Sequence, residues 1–258
     1  MQSTTFRHEP IRHELPANLT DKVFLFDGDD TAYETECAAF RGCTKVVNAL
    51  LNEKGCEFQF DPVDLMNQFR GSNAREIMTK VAERFDFTLT SEELDALVRA
   101  ELQAAINQLA ADVQAAPEIV PVLQILQAAR RPCALVSSSA KRRIDVCLNR
   151  TGLRRFFDDD FVFSAVDSLN PAASKPDPAI YLFACKSLGI NPEDCIAFED
   201  SVSGIKAAAA AGIRVVGYVG LAPLEEREKR ASSLMEAGAW FVIESWDKFF
   251  PTVASLNP

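Results

Sequence analysis

The sequence predicts an α/β fold in which a parallel sheet core is interrupted by an all-helical insertion, and three observations carry that prediction. Short apolar runs of strand length alternate with segments of helical periodicity through the second half of the chain. Three of the runs stop at clustered polar residues: Asp27-Gly28-Asp29-Asp30, Ser137-Ser138-Ser139 and Glu199-Asp200. Between the first and second of these, residues 37–114 carry helical spacing and no convincing strand.

Taken in order, residues 1–20 read as a flexible N-terminal arm, polar, broken by Pro10 and Pro16, and holding both histidines, His8 and His13. Val23, Phe24, Leu25 and Phe26 fit a strand buried on both faces. In the insertion, a helix over 37–52 places Phe40, Val46, Val47, Leu50 and Leu51 at helical intervals, and Gly55 closes it. Helices over 62–69 and 75–85 follow. Thr90-Ser91-Glu92-Glu93 then forms a capping-box pattern ahead of the stripe Leu94, Val98, Leu102, Ile106, Leu109 and Val113.

Alternation resumes with a helix over 119–129, a strand over 133–136 and a helix over 142–148. A strand over 160–164 comes next, then a long loop to Lys175 and a helix over 178–188, with Pro178 suited to a first turn. A strand over 195–198, a helix over 202–211, strands over 214–218 and 240–243, and a helix over 224–236 between them complete the reading. Such alternation predicts a Rossmann-like parallel sheet covered on both faces. The run Ala207 to Ala211 suits close helix packing, and Trp240 and Trp246 read as packing residues.

At 258 residues and 48% hydrophobic content the chain can bury a sizeable core. Its net charge of -10 argues against electrostatic binding of nucleic acid or an anionic membrane, so a phosphorylated ligand would need local positive charge. Seven scattered cysteines, without a Cys-x-x-Cys pair, suggest reduced thiols and no disulfide framework. The chain shows no apolar run of membrane-spanning length and no signal-peptide pattern, so a cytoplasmic location is expected.

In an open parallel sheet, ligands collect beyond the carboxyl ends of the strands. Asp27 with Asp29, Ser137 with Ser138, Glu199 with Asp200, and Lys175 from the intervening loop would then face one crevice. Clustered carboxylates suit a hard divalent cation, while serine hydroxyls at a helix start and a fixed ammonium suit an anion. That combination meets the needs of phosphoryl transfer. Singly, each has a plainer reading: Asp and Gly as turn formers, Ser137 to Ser139 as helix caps, Lys175 as a solvated charge, Glu199 and Asp200 as acids answering a helix dipole.

The joint pattern resembles the haloacid dehalogenase-like hydrolases, and within them the helical-cap phosphatases and the β-phosphoglucomutase-like branch. The motifs carrying it are Asp27-Gly28-Asp29-Asp30-Thr31, Ser137, Lys175 in Ser-Lys-Pro-Asp-Pro, and Glu199-Asp200 in Phe-Glu-Asp-Ser-Val-Ser-Gly-Ile, spanning residues 23–218. The resemblance implies a discontinuous α/β core (21–36 and 115–258) and a helical cap domain (37–114). It implies a phosphohydrolase acting through an aspartyl-phosphate, with Asp27 as nucleophile and Asp29 as general acid and base. Mg²⁺ would be held by Asp27, the Asp29 carbonyl, Glu199 and Asp200. Ser137, Ser138 and Lys175 would bind the phosphoryl group, and Arg70, Gly71 and Arg75 in a cap loop would touch the substrate. The partner is expected to be a small phosphorylated sugar, sugar acid or polyol; oligomeric state stays open.

The loop also departs from the family pattern. Gly28 stands where a bulky apolar residue is common, Asp30 where Gly is common, and Ala32 where Leu is usual. A third carboxylate is expected to tighten metal binding or perturb Asp29. A sugar-phosphate mutase would use the same residues, Asp30 and Gly28 make a non-catalytic phospho-ligand-binding regulator an alternative, and a dehalogenase has no need of the metal set.

Overall fold

The computed structural model describes residues 15–70 and 72–255. In chain order its strands are β1 (Val23–Phe26), β2 (Tyr33–Glu34), β3 (Gln114–Ala115), β4 (Cys133–Ser137), β5 (Val162–Ser164), β6 (Cys195–Glu199), β7 (Arg214–Tyr218) and β8 (Phe241–Ile243). Its helices are α1 (Glu36–Glu53), α2 (Pro62–Phe69), α3 (Ala74–Arg84), α4 (Ser91–Asp112), α5 (Ile119–Ala128), α6 (Lys141–Thr151), α7 (Ala179–Leu188), α8 (Val202–Ala210), α9 (Leu224–Glu236) and α10 (Phe249–Ser255).

β1 is central because all four of its residues are apolar and a neighbour lies on each side. The parallel sheet runs β5-β4-β1-β6-β7-β8. Successive strand residues face opposite ways, so Phe24 and Phe26 enter one core and Val23 and Leu25 the other. The first core is aromatic: Phe26 stacks on Phe198 at 4.7 Å, and Phe198 meets Trp246 at 5.0 Å and Phe249 at 4.8 Å. Small side chains fill the second, where Ala207 and Ala208 let α8 pack closely. Together these layers hold the strand ends rigidly in place.

Helices α1 to α3 surround a separate cluster that includes Val47, Leu51, Leu65, Met78 and Val81. α4 starts at the expected capping box, with both reciprocal hydrogen bonds between Thr90 and Glu93 present. Where the chain leaves and re-enters the sheet region, β2 and β3 pair antiparallel, Tyr33 with Ala115 and Glu34 with Gln114. This ribbon is a correction to the strand-free reading of the insertion.

Other boundaries also moved. The arm does not extend to residue 20, because Ala17–Leu19 forms a 3-10 turn and Leu19 is buried in the aromatic core. His8 and His13 lie outside the described residues. Asp159–Phe161 is a 3-10 turn, which shortens the expected strand to β5. Trp240 precedes β8, with the Arg214 guanidinium 5.2 Å from its ring, and α10 was not anticipated. No helix among the described residues is long and apolar enough to cross a membrane.

Candidate active site

The register aligns Phe26 of β1 with Leu135 of β4 and Phe198 of β6. Three neighbouring strands therefore finish at one level, and Asp27, Ser137 and Glu199 emerge side by side. All three are buried polar groups.

Lys175 reaches in from the loop ahead of α7. Its Nζ donates to Asp27 Oδ1 at 2.5 Å, to Glu199 Oε1 at 2.6 Å and to the Val136 carbonyl at 2.8 Å. All three ammonium hydrogens are thereby used, which a lysine with only 4% of its side chain exposed requires. Burial would lower Lys175, but the charges of Asp27 and Glu199 outweigh it and raise the ammonium above its ordinary value. Glu199 Oε1 also accepts from Tyr181 at 2.5 Å. Its other oxygen, Oε2, is buried without a partner, and a Cβ on Gly204 would lie 1.8 Å from it. Gly204 in the Glu-Asp-Ser-x-x-Gly motif is thus a steric requirement for seating this carboxylate under α8.

Asp200 accepts from the Thr31 hydroxyl at 3.3 Å. One oxygen each from Asp27, Glu199 and Asp200 fall within 4.8 Å of one another. Burial raises the Asp27 carboxyl to about 8 against the pull of Lys175, with Glu199 adding to the rise. Burial and the charges of Asp27, Asp30 and Glu199 push Asp200 well above the usual carboxylate range. Three carboxylates facing one ammonium, with Glu199 Oε2 unpaired, form a donor set that fits a hard divalent cation.

The Asp29 carboxylate points elsewhere. Arg143 Nη2 donates to its Oδ1 at 2.9 Å and the Ser139 hydroxyl to its Oδ2 at 2.6 Å. Burial opposes ionisation, yet Arg143 and these hydrogen bonds hold Asp29 below its ordinary value. The Asp29 carboxylate is not part of the Asp27, Glu199 and Asp200 cluster. Arg143 and Ser139 were missed from sequence. A signal existed: Lys141, Arg142 and Arg143 open α6, where the helix dipole disfavours positive charge, so an anionic partner was called for.

The Asp30 carboxylate turns to the backbone that follows it. Asp30 has φ of 53°, a left-handed conformation in which Gly is easiest and Asp is tolerated. Its Oδ1 accepts the backbone N-H groups of Thr35 at 2.9 Å and Glu36 at 3.1 Å. The third carboxylate thus caps the start of α1, joining the acidic loop to the helical insertion.

Ser137 is buried, and its Oγ accepts the Ser139 N-H at 3.0 Å. The Ser138 hydroxyl accepts the Lys175 N-H at 3.4 Å, so that side chain anchors the lysine loop. Arg70 spans Glu36 at 3.4 Å and Glu226 at 3.5 Å, and Glu226 in turn pairs with Arg230. Gly71 lies outside the described residues. Arg75, half-exposed, pairs with Asp95 in an ion pair between α3 and α4. Beside Asp200 lies a cavity of about 500 Å³ lined by Ser201, Glu226, Lys229 and Arg230, among others. Its two cations are balanced by Asp200 and Glu226, and Arg230 is paired with Glu226.

Residues 22–212 match the family model for haloacid dehalogenase-like hydrolase. The chain is 26% identical over 194 residues to the 6-phosphogluconate phosphatase of Escherichia coli (strain K12), covering 75% of this chain and 80% of that protein. It is 28% identical over 219 residues to a phosphorylated carbohydrates phosphatase of Thermotoga maritima, covering 84% and 92%. Among solved structures, a HAD family hydrolase from Deinococcus radiodurans R1 with bound phosphate and sodium superposes with a TM-score of 0.70 at 28% identity, over 91% of this chain and 95% of that one.

Proposed function

The chain belongs to the haloacid dehalogenase-like hydrolases, and we propose that it is a Mg²⁺-dependent phosphatase of small phosphorylated sugars, sugar acids or polyols. The observation that carries this reading is the Lys175 ammonium seated 2.5 Å from Asp27 and 2.6 Å from Glu199, with Asp200 completing an acidic cluster. The similar phosphatases of 6-phosphogluconate and of phosphorylated carbohydrates support the substrate class.

In this reading an Asp27 oxygen attacks phosphorus while the bond to the leaving oxygen breaks, forming an aspartyl-phosphate. Asp29 protonates the departing oxygen. It then takes a proton from the water that attacks the same phosphorus, releasing phosphate and restoring Asp27. Paired with Arg143, Asp29 is ionised at rest, so acting as the acid requires it first to take up a proton from solvent at Oδ2, in place of the Ser139 hydrogen bond, while Oδ1 stays on the guanidinium. Lys175 holds Asp27 oriented, and the Ser137 hydroxyl binds a phosphoryl oxygen. Mg²⁺ held by Asp27, Glu199, Asp200 and the Asp29 carbonyl would supply charge compensation between nucleophile and substrate. The unit over 37–114 acts as a cap on the core, hinged at the β2-β3 ribbon, with Arg70 facing the approach.

The test is phosphate release from an aryl phosphate and a panel of phosphorylated metabolites. Release is expected with Mg²⁺, and EDTA or Asp27→Asn should each abolish it. Equal release by wild type and Asp27→Asn, or indifference to EDTA, rejects the reading.

A further inference from the structure

Two features of the acidic loop that look unrelated in sequence occupy one space. A Cβ on Gly28 would stand 2.4 Å from the Tyr33 hydroxyl, 3.0 Å from its Cζ and 3.6 Å from Ser137 Oγ. The Tyr33 ring thus fills the volume that a side chain at position 28 would take, and presents its hydroxyl over the loop on the same side as Ser137.

The Tyr33 backbone is fixed to that loop at both ends. Its N-H donates to the Gly28 carbonyl at 3.2 Å, and its carbonyl accepts from the Asp30 N-H at 2.8 Å. Pairing with Ala115 in the ribbon holds it from the other side. The side chain is 1% exposed, the same as Ser137, and its hydroxyl is buried without a hydrogen-bond partner. A phenylalanine would fill this volume without the cost of an unpaired buried hydroxyl. The nearby protein acceptors are engaged: both Asp29 oxygens by Arg143 and Ser139, and Asp27 Oδ1 by Lys175. Burial and the neighbouring Asp29 charge keep the phenol protonated, so it has a hydrogen to donate and no acceptor for it. The dianion of a phosphate monoester offers acceptor oxygens alone, and the inorganic dianion offers three.

We propose that the Tyr33 hydroxyl is a further substrate-binding group, donating a hydrogen bond to an oxygen of the substrate's phosphate at the Gly28 turn, beside Ser137. This rests on the phosphatase reading only in taking the ligand to be a phosphate.

The test is calorimetric titration of inorganic phosphate into wild type and Tyr33→Phe in Mg²⁺, with melting temperatures recorded with and without phosphate. Removing one hydrogen bond to a charged group should weaken phosphate binding roughly tenfold. The phosphate-free melting temperature should stay level or rise, because the variant keeps the ring and loses only an unpaired hydroxyl. Equal affinities overturn the proposal, as does failure of the wild type to bind phosphate. Weaker binding accompanied by a lower phosphate-free melting temperature assigns the phenol to packing and also overturns it. Binding needs no turnover, so a protein that binds phosphate through Tyr33 but releases none from monoesters retains this inference while losing the hydrolase reading.

Discussion

Arg143 and Asp29 form a partly buried ion pair, Nη2 to Oδ1 at 2.9 Å, that joins the start of α6 to the loop after β1. Ser139 holds the second Asp29 oxygen, so the carboxylate is fixed in both position and orientation. If Asp29 serves the leaving oxygen, Arg143 positions that acid, and its value should depend on how much the leaving group needs a proton. Arg143→Met should lower kcat/KM for alkyl phosphates by roughly 10²-fold while changing an activated aryl phosphate far less. Arg143→Lys should recover part of the loss. A uniform loss across leaving groups would point to folding instead.

Asp30 yields a stability prediction in the metal-free protein. Burial, followed by the Asp29 charge, raises its carboxyl to about 6 from 3.8 even though the Thr35 and Glu36 amides oppose the rise. The folded state thus disfavours the ionised form, a penalty that appears as pH climbs past about 4 and is complete above about 6. Asp30→Asn keeps an acceptor and tolerates the left-handed backbone while removing that charge. In EDTA at pH 7 the variant should be more stable by about 1–2 kcal/mol, less than the full shift implies because solvent reaches part of this group. Denaturant melts should show the advantage vanishing below about pH 4.

Gly204 is a purely steric prediction. With a Cβ 1.8 Å from Glu199 Oε2, Gly204→Ala must displace the carboxylate or shift α8. Urea unfolding should show a loss of about 1–3 kcal/mol. The stabilisation that Mg²⁺ confers on the wild type should fall in parallel.

Lys175 neutralises Asp27 and Glu199 where solvent cannot. Lys175→Met leaves two buried carboxylates facing each other, and thermal or urea melts should register a loss of about 3–5 kcal/mol. Mg²⁺ should recover part of that stability without restoring activity, since the nucleophile would remain unoriented.

Much of the fold was written in local pattern. The apolar run of β1 and its acidic end, the Thr90 capping box of α4, and the strands over 195–198 and 214–218 follow from periodicity and turn chemistry within short windows. The grouping of Asp27, Lys175, Glu199 and Asp200 was inferable because parallel strands finish at a common edge. β2 and β3 escaped notice because two-residue strands carry no periodicity and exist only where two crossings of the chain meet.

By itself, then, the sequence determined the longer strands and helices and which acids stand at strand ends, because propensity and burial pattern act over a few neighbouring residues. Tertiary structure alone decided the partners of several polar groups. It turned Asp29 toward Arg143, 114 positions away, and Asp30 toward the start of α1, paired Arg75 with Asp95, and set the Tyr33 phenol over Gly28. Those choices follow from distances and cavities that exist only once remote segments have packed together, and no spacing along the chain encodes them.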